Sequence, residues 1–437
     1  MGGAAPSAAA TSYLPVAISL LLLLPVRVSA AGRLHPLVVI PGTGTSQIYA
    51  RLTDDYVPSN GTVCGGANRP AGWFRLWKDK RLLRDPLVQC FTELMAIHYD
   101  PALDDYRNTP GVETMVPRFG SVDAFRHRDP DDPKDTPEMA IFLERLEALG
   151  YRDGEDLFGA PYDYRYGLAA PGRPSLAGTR FLDGLRALVE RAASANGGRP
   201  VVILGNSLGG LLAHQLLTRS PPAWRRRFVK HFLAVAVPWG GCVLEMEVFA
   251  SGISVAGLAP LVLRAEMATY ESNLWLLPSP GAFAGRPLAV TPERNYSAME
   301  LLQFLSDVGF SEAVRPYQSR ILPMIARLDP PGVPVTCVSG TGVPTREMLV
   351  YGDGFGRDPE VVLGDGDGTV NMESLVAAEA AWVGVEGQPL TVVKVAKATH
   401  GSILLEEETW KVILEQVMSS DDDDADVRST GLSSAAA

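Results

Sequence analysis

Three side chains far apart in the chain have the types needed for acyl transfer: a serine, an aspartate and a histidine. Ser207 lies in Gly205-Asn206-Ser207-Leu208-Gly209. This fits G-x-S-x-G, a strained strand-to-helix turn that lifts a serine hydroxyl above the edge of a sheet. The flanking glycines suit a turn where strand and helix approach so closely that a Cβ would clash. An ordinary buried βα turn is the bland alternative, and the strand before and helix after favour the nucleophile turn. There are six histidines: His35, His98, His127, His214, His231 and His400. Only His400 stands well downstream of Ser207 in a loop just after a strand, from which a general base can be delivered. His214 sits seven residues along the helix that follows Ser207, so it reads as a helix-surface or packing residue. Between serine and histidine, Gly364-Asp-Gly-Asp-Gly-Thr-Val370 carries two carboxylates. Asp367 is the expected acid, because Asp-x-x-Val turns the chain straight back into the core; Asp365 would cap or brace the turn. A calcium loop is the rival, but the full D-x-[DN]-x-[DN]-G-x₅-E pattern is absent. Asp367 would hold the His400 tautomer, and His400 would take the Ser207 proton.

Such residues need a sheet to hold them. Val201-Val-Ile-Leu204 reads as a buried parallel strand, and Leu208 to Leu217 continues at helical period. The helix N-terminus points partial positive charge at Ser207. His35-Pro-Leu-Val-Val-Ile-Pro-Gly-Thr-Gly-Thr45 runs a short strand into a Gly-rich turn. In an α/β-hydrolase that turn supplies the second amide of the oxyanion hole, here Thr43 beside Leu208. A phosphate loop is the alternative, but no G-x-G-x-x-G or Walker pattern follows. Residues 156–165 read as a strand leaving into a loop, further strands are expected at 231–237, 333–339 and 390–396, and helices at 138–149, 179–195 and 402–418. Strands alternating with helices imply a parallel sheet with right-handed crossovers. From about 242 to 330 the rhythm is lost, which suits a cap over the C-terminal edge of the strands.

Residues 1–30 carry an apolar run, Leu14 to Val26, followed by Val28-Ser-Ala30. They read as a secretory signal peptide, or as an uncleaved signal anchor. The tail, 419–437, holds the run Asp421 to Asp424 and is expected to be disordered and solvated. Cys64, Cys90, Cys242 and Cys337 suit an oxidising compartment. Cys64 and Cys90 are close enough to staple one hairpin, while Cys242 and Cys337 could be buried thiols. Sequons at Asn60 and Asn295 are compatible with secretion. The formal net charge is −11, which disfavours a nucleic-acid surface. Between the nearer cysteines stand Trp73, Phe74, Trp77, Leu82 and Leu83 among Arg75, Lys78, Lys80, Arg81 and Arg84. These form either a core flap or a surface that docks on lipid, since tryptophans favour the headgroup boundary and cations attract anionic lipid.

In order along residues 35 to 415, these motifs resemble the lecithin–cholesterol acyltransferase family, which includes lysosomal phospholipase A and the phospholipid–diacylglycerol acyltransferases. The resemblance is carried by His35 to Gly42, Ala160-Pro-Tyr-Asp163 with Arg165, the Ser207 turn, Pro238-Trp-Gly-Gly241, Glu271-Ser-Asn-Leu-Trp275, the 364–370 loop and His400-x-x-Ile-Leu404. It implies an α/β-hydrolase fold, with a lid hairpin at about 50–110 closed by a Cys64–Cys90 disulfide and a cap at about 242–330. It puts the triad on Ser207, Asp367 and His400 and the oxyanion amides on Thr43 and Leu208. Trp73, Trp77, Arg165 and Trp239 become candidates for contact with substrate or lid. The chain departs from the family at Thr43-Gly-Thr-Ser-Gln47, where Gly-Asn-Gln is frequent, at Asn206, where His is frequent, and at Cys242, where a hydroxyl or small residue is common.

The expected activity is transfer of a fatty acyl group from a glycerophospholipid through acyl-Ser207 to a sterol or other lipid alcohol. Phospholipase A, with water as acceptor, is the same-family alternative, and a silent lipid-binding protein the alternative of another class. No metal or organic cofactor is implied. The expected partners are a phospholipid membrane or lipoprotein-like surface and a lipid alcohol; the expected compartment is the secretory pathway.

Overall fold

The computed structural model describes residues 1–2, 34–59, 64, 70–135 and 137–418. The apolar N-terminal segment, Asn60 and the acidic tail lie outside the described residues.

Six parallel strands form the central sheet, in the order Leu390–Ala396, Val335–Thr341, Val229–Val235, Val201–Asn206, Leu37–Ile40, Leu157–Gly159. Their near-continuous apolar character follows from burial of both faces. Val38, Ile40, Ile203, Phe232 and Ala234 face one core, with Leu185 and Leu188 of the helix Leu176–Ala195 and Leu211 and Leu212 of Leu208–Thr218. Leu37, Val39, Val202, Leu204, Leu233 and Val235 face the other. There they meet Phe142 and Leu146 of the helix Glu138–Leu149 and Ile413 of Glu407–Val417. This is the α/β-hydrolase fold. The expected strands and helices appear with their ends shifted by a few residues. The last helix starts at Glu407 instead of Ser402, because a tight turn at Thr399–Ser402 and a 3₁₀ segment, Ile403–Leu405, intervene and leave His400 in a loop.

The described residues of 50–110 pack onto this body. Ile48–Leu52 is the middle strand of three, between Phe74–Trp77 and Val112–Met115. A disulfide joins Cys64 to Cys90 on the helix Val88–Met95; Cys242 and Cys337 are free and buried. After Gly241 come the helices Val243–Ala250, Pro260–Met267 and Glu271–Trp275. A second sheet follows, in the order Asn295–Tyr296, Ala289–Val290, Thr345–Val350, Glu360–Gly364. Half of it lies beyond residue 330, so structure outside the central sheet comes from both sides of Val335–Thr341. Among the described residues no helix is long and apolar enough to cross a membrane.

Candidate active site

Ser207 sits between strand and helix with φ 55° and ψ −129°. A non-glycine residue held there stores of order 1–3 kcal/mol of strain, which the packed elements on either side must sustain. They pack tightly. A Cβ on Gly205 would come within 2.6 Å of Gly210 Cα, and one on Gly209 within 2.3 Å of the Ile40 carbonyl oxygen. Only glycines let the turn close onto the first strand.

The Ser207 hydroxyl is 3.0 Å from His400 Nε2, and His400 Nδ1 is 2.7 Å from Asp367 Oδ2. With Nδ1–H donating to the carboxylate, Nε2 is free to accept the serine proton. Asp367 is fully buried, and its other oxygen accepts from the Thr369 and Val370 amides at 3.0 and 2.7 Å. The His400 amide donates to the Asp367 carbonyl at 2.8 Å, which locks the two loops together. Asp365 faces elsewhere. Its carboxylate accepts from the Gly342 amide at 2.6 Å and from the Thr341 hydroxyl at 3.2 Å, tying its loop to the end of the neighbouring strand.

Thr43 lines the cavity in front of Ser207, and a Cβ on Gly42 would lie 3.0 Å from Ser207 Cβ. The Leu208 side chain is buried in the core while its amide opens the helix Leu208–Thr218, where first-turn N–H groups lack intrahelical partners. The cavity holds about 290 Å³ and is walled by Leu244, Ile253, Met267, Leu276 and Leu404. A larger cavity of about 730 Å³ lies between residues 106–119 and 176–184, but it contains none of Ser207, Asp367 or His400. Asn206 also lines the Ser207 cavity and donates to the Val235 carbonyl at 3.3 Å. Cys242 is another lining residue; burial raises its thiol well above the usual range, leaving it a poor nucleophile. Among the described residues no group of His, Cys, Asp and Glu is placed to hold a metal.

Several expected contact residues lie elsewhere. Trp77 is only 8% exposed and packs on Phe91 and Tyr164. It is core, not docking surface, and its indole N–H donates to the Gly44 carbonyl at 2.8 Å. Leu83 is buried too. Most of the cations expected to attract lipid are engaged by carboxylates: Arg75 by Asp129 and Asp131, Lys78 by Asp135, Lys80 by Asp132 and Arg81 by Asp79. Trp73 alone of the two tryptophans is exposed, at 39%, with Arg51 over its ring. Arg165 has no exposure and is a buried node that ties Asp163 to the 50–110 segment. It donates to Asp163 at 2.8 Å, to the Met95 carbonyl at 3.0 Å and to Asn108 and Thr114 at 3.0 Å each. Trp239 is likewise interior, edge-on to Trp382 and His214. His214 is a packing residue, buried with Nε2 2.7 Å from the Asp329 carbonyl oxygen. Asn295 is exposed at the edge of the small sheet. The Trp77–Gly44 bond escaped sequence reasoning, because nothing in residue spacing tells an indole that faces lipid from one that braces a loop.

A family model described as lecithin:cholesterol acyltransferase matches residues 73–322. The Arabidopsis thaliana protein "Lecithin-cholesterol acyltransferase-like 1" is 44% identical over 400 residues, covering 89% of this chain and 91% of its own. The Canis lupus familiaris protein "Lysosomal phospholipase A and acyltransferase" is 32% identical over 396 residues, covering 90% and 94%. Among solved structures, a chain of the Tle4–Tli4 complex superposes with a TM-score of 0.51 at 13% identity, covering 87% of this chain and 97% of that one; it speaks for the fold alone.

Proposed function

The chain belongs to the lecithin:cholesterol acyltransferase family, and from that premise we propose that it moves a fatty acyl group from a glycerophospholipid to a lipid alcohol through acyl-Ser207. One observation carries the reading: Ser207, His400 and Asp367 are linked in that order by hydrogen bonds of 3.0 and 2.7 Å at the wall of an apolar cavity. His400 Nε2 takes the Ser207 proton as Oγ attacks the ester carbonyl. The amides of Thr43 and Leu208 receive the oxyanion of the tetrahedral intermediate. His400 returns the proton to the departing lysophospholipid oxygen as the ester bond breaks. The acceptor hydroxyl then gives its proton to His400 and attacks acyl-Ser207; the second collapse releases the new ester and restores the serine. The chain's own residues supply each group in these steps.

Water as acceptor would give phospholipase A by the same steps. The 32% identical relative, a "Lysosomal phospholipase A and acyltransferase", favours keeping that reading. One incubation tests both. Labelled phosphatidylcholine vesicles are supplied with sterol, with diacylglycerol or with neither, and all products are resolved. Transfer predicts labelled sterol ester or triacylglycerol; fatty acid in every tube makes the protein a phospholipase. No lysophospholipid from wild type, or an active Ser207→Ala variant, would end the acyl-serine reading. We infer that the protein works in the secretory pathway; the N-terminal apolar run and the Cys64–Cys90 disulfide support this reading.

A further inference from the structure

The cavity in front of Ser207 is lined by a cation that no described side chain engages directly. Besides His400 its lining contains Arg126, Arg128, Glu138 and Glu245. Arg126 is neutralised by Asp123 at 3.1 Å and by Glu147. Glu245 is nine-tenths buried, its Oε2 has no hydrogen-bond partner among the described residues, and burial pushes its pKa up to about 8, which favours the protonated form at neutral pH. Glu138 stands in the first turn of its helix, where the dipole already favours its charge. Arg128 is left over. It is half-buried, and among the described residues its guanidinium makes no ion pair and no hydrogen bond. Burial pushes its pKa down, and Glu138 and Asp135 act on it only at longer range. The adjacent carboxylate, Asp129, is already held by Arg75 at 3.1 Å.

A half-desolvated guanidinium with no carboxylate in direct contact has N–H donors free to receive an anion. Its backbone is fixed for that task, since the Arg128 carbonyl accepts from the Lys78 amide at 3.4 Å, on the segment that also carries Trp77. Arg128 and Ser207 line the same cavity, so a ligand whose ester lies at Ser207 can present an anionic group to Arg128. In a glycerophospholipid the phosphodiester and the acyl esters share one glycerol. A guanidinium offers a planar fork of N–H donors that matches phosphate oxygens.

We propose that Arg128 binds the phosphate of the donor lipid and so makes the enzyme select glycerophospholipids over neutral glycerides as acyl donors. This rests on the phospholipid-donor reading above.

The test uses two soluble donors with the same acyl chains, dihexanoylphosphatidylcholine and dihexanoylglycerol, kept below aggregation. For wild type the phospholipid should have the lower KM. Arg128→Gln should raise the phospholipid KM by roughly ten-fold with kcat nearly unchanged, and leave dihexanoylglycerol kinetics as they were. Arg128→Lys, which keeps the charge without the fork, should fall between them. Equal loss on both donors, or equal wild-type KM values, overturns the proposal. A second arm needs no variant: glycerophosphocholine should compete with dihexanoylglycerol on wild type, and inorganic phosphate should do so much less. If glycerophosphocholine does not compete, or free phosphate competes as well, the site is not one for a lipid headgroup. A wild type that cleaves neither donor defeats the acyl-serine reading itself, which is a different result from wild-type activity with unchanged Arg128→Gln selectivity.

Discussion

Trp77 holds the loop that carries Thr43: its indole N–H donates to the Gly44 carbonyl at 2.8 Å, one residue from the amide we propose for the oxyanion hole. The disulfide-bonded segment therefore has a direct hydrogen bond to the loop beside Ser207. Trp77→Phe keeps most of the ring against Phe91 and Tyr164 and removes only the donor. It should lower turnover on a short soluble ester and on vesicles by the same factor, roughly ten-fold, since losing an oxyanion amide outright costs a hundred-fold or more. Loss confined to vesicles would restore a docking role for this residue.

The two aspartates of the 364–370 loop should separate cleanly. Ser207→Ala, His400→Ala and Asp367→Asn should each cut turnover by roughly three to six orders of magnitude while the fold survives. Asp365→Asn weakens the ties to Gly342 and Thr341 and should cost about 1–2 kcal/mol of stability, with turnover within roughly ten-fold of wild type. Turnover and urea midpoints for the four variants check this. A dead Asp365→Asn beside an active Asp367→Asn would exchange the two roles.

The central sheet was legible because burial on both faces writes strands such as Val201–Asn206 as apolar runs. Ser207 and His400 stand directly after strands of that sheet, Val201–Asn206 and Leu390–Ala396, whereas Asp367 follows Glu360–Gly364 of the small sheet and was legible from its Asp-x-x-Val turn. The stapled segment was not. Trp73, Trp77 and five nearby cations have the same spacing whether they face lipid or pack on Phe91 and pair with Asp129, Asp131 and Asp132, residues some fifty positions away. The way Arg165 touches the 50–110 segment was hidden for a related reason: its partners Met95, Asn108 and Thr114 meet it only in the fold. The small sheet was invisible because two of its strands have two residues each, too short for any period.

The Cys64–Cys90 bond closes a loop across a separation of 26 residues. In the chain-entropy account such a crosslink contributes about 3 kcal/mol by restricting the unfolded state. The Cys64→Ser, Cys90→Ser double variant should lose about that much stability and still fold at low temperature. Non-reducing peptide maps of wild type should show this pair and free thiols at Cys242 and Cys337. A map joining Cys242 to Cys337 would contradict the structure, in which both are buried and free.

The last expectation concerns acid. His214 is stacked on Trp382, edge-on to Trp239, and burial pushes its pKa down to about 4. His231, 2.9 Å from the Thr336 hydroxyl, is pushed to about 4 by burial and by Lys230. An unfolded histidine titrates near 6.5, so below that pH the unfolded state binds protons the fold refuses. The sign follows: these rings leave stability intact above pH ~6.5 and withdraw it as pH falls towards ~4, by about 3 kcal/mol each. Glu245 acts the other way. Its folded pKa is raised to about 8, so its contribution is present in acid and lost as pH rises through that value. The total slope therefore mixes opposing groups, and the informative quantity is a difference between variants. His214→Gln should be less stable than wild type at pH 7 through lost stacking, yet its urea midpoint should fall less steeply between pH 7 and 4.5, by up to one proton's worth of slope. Parallel curves for wild type and His214→Gln would mean that His214 takes up its proton in the fold as readily as in the unfolded chain.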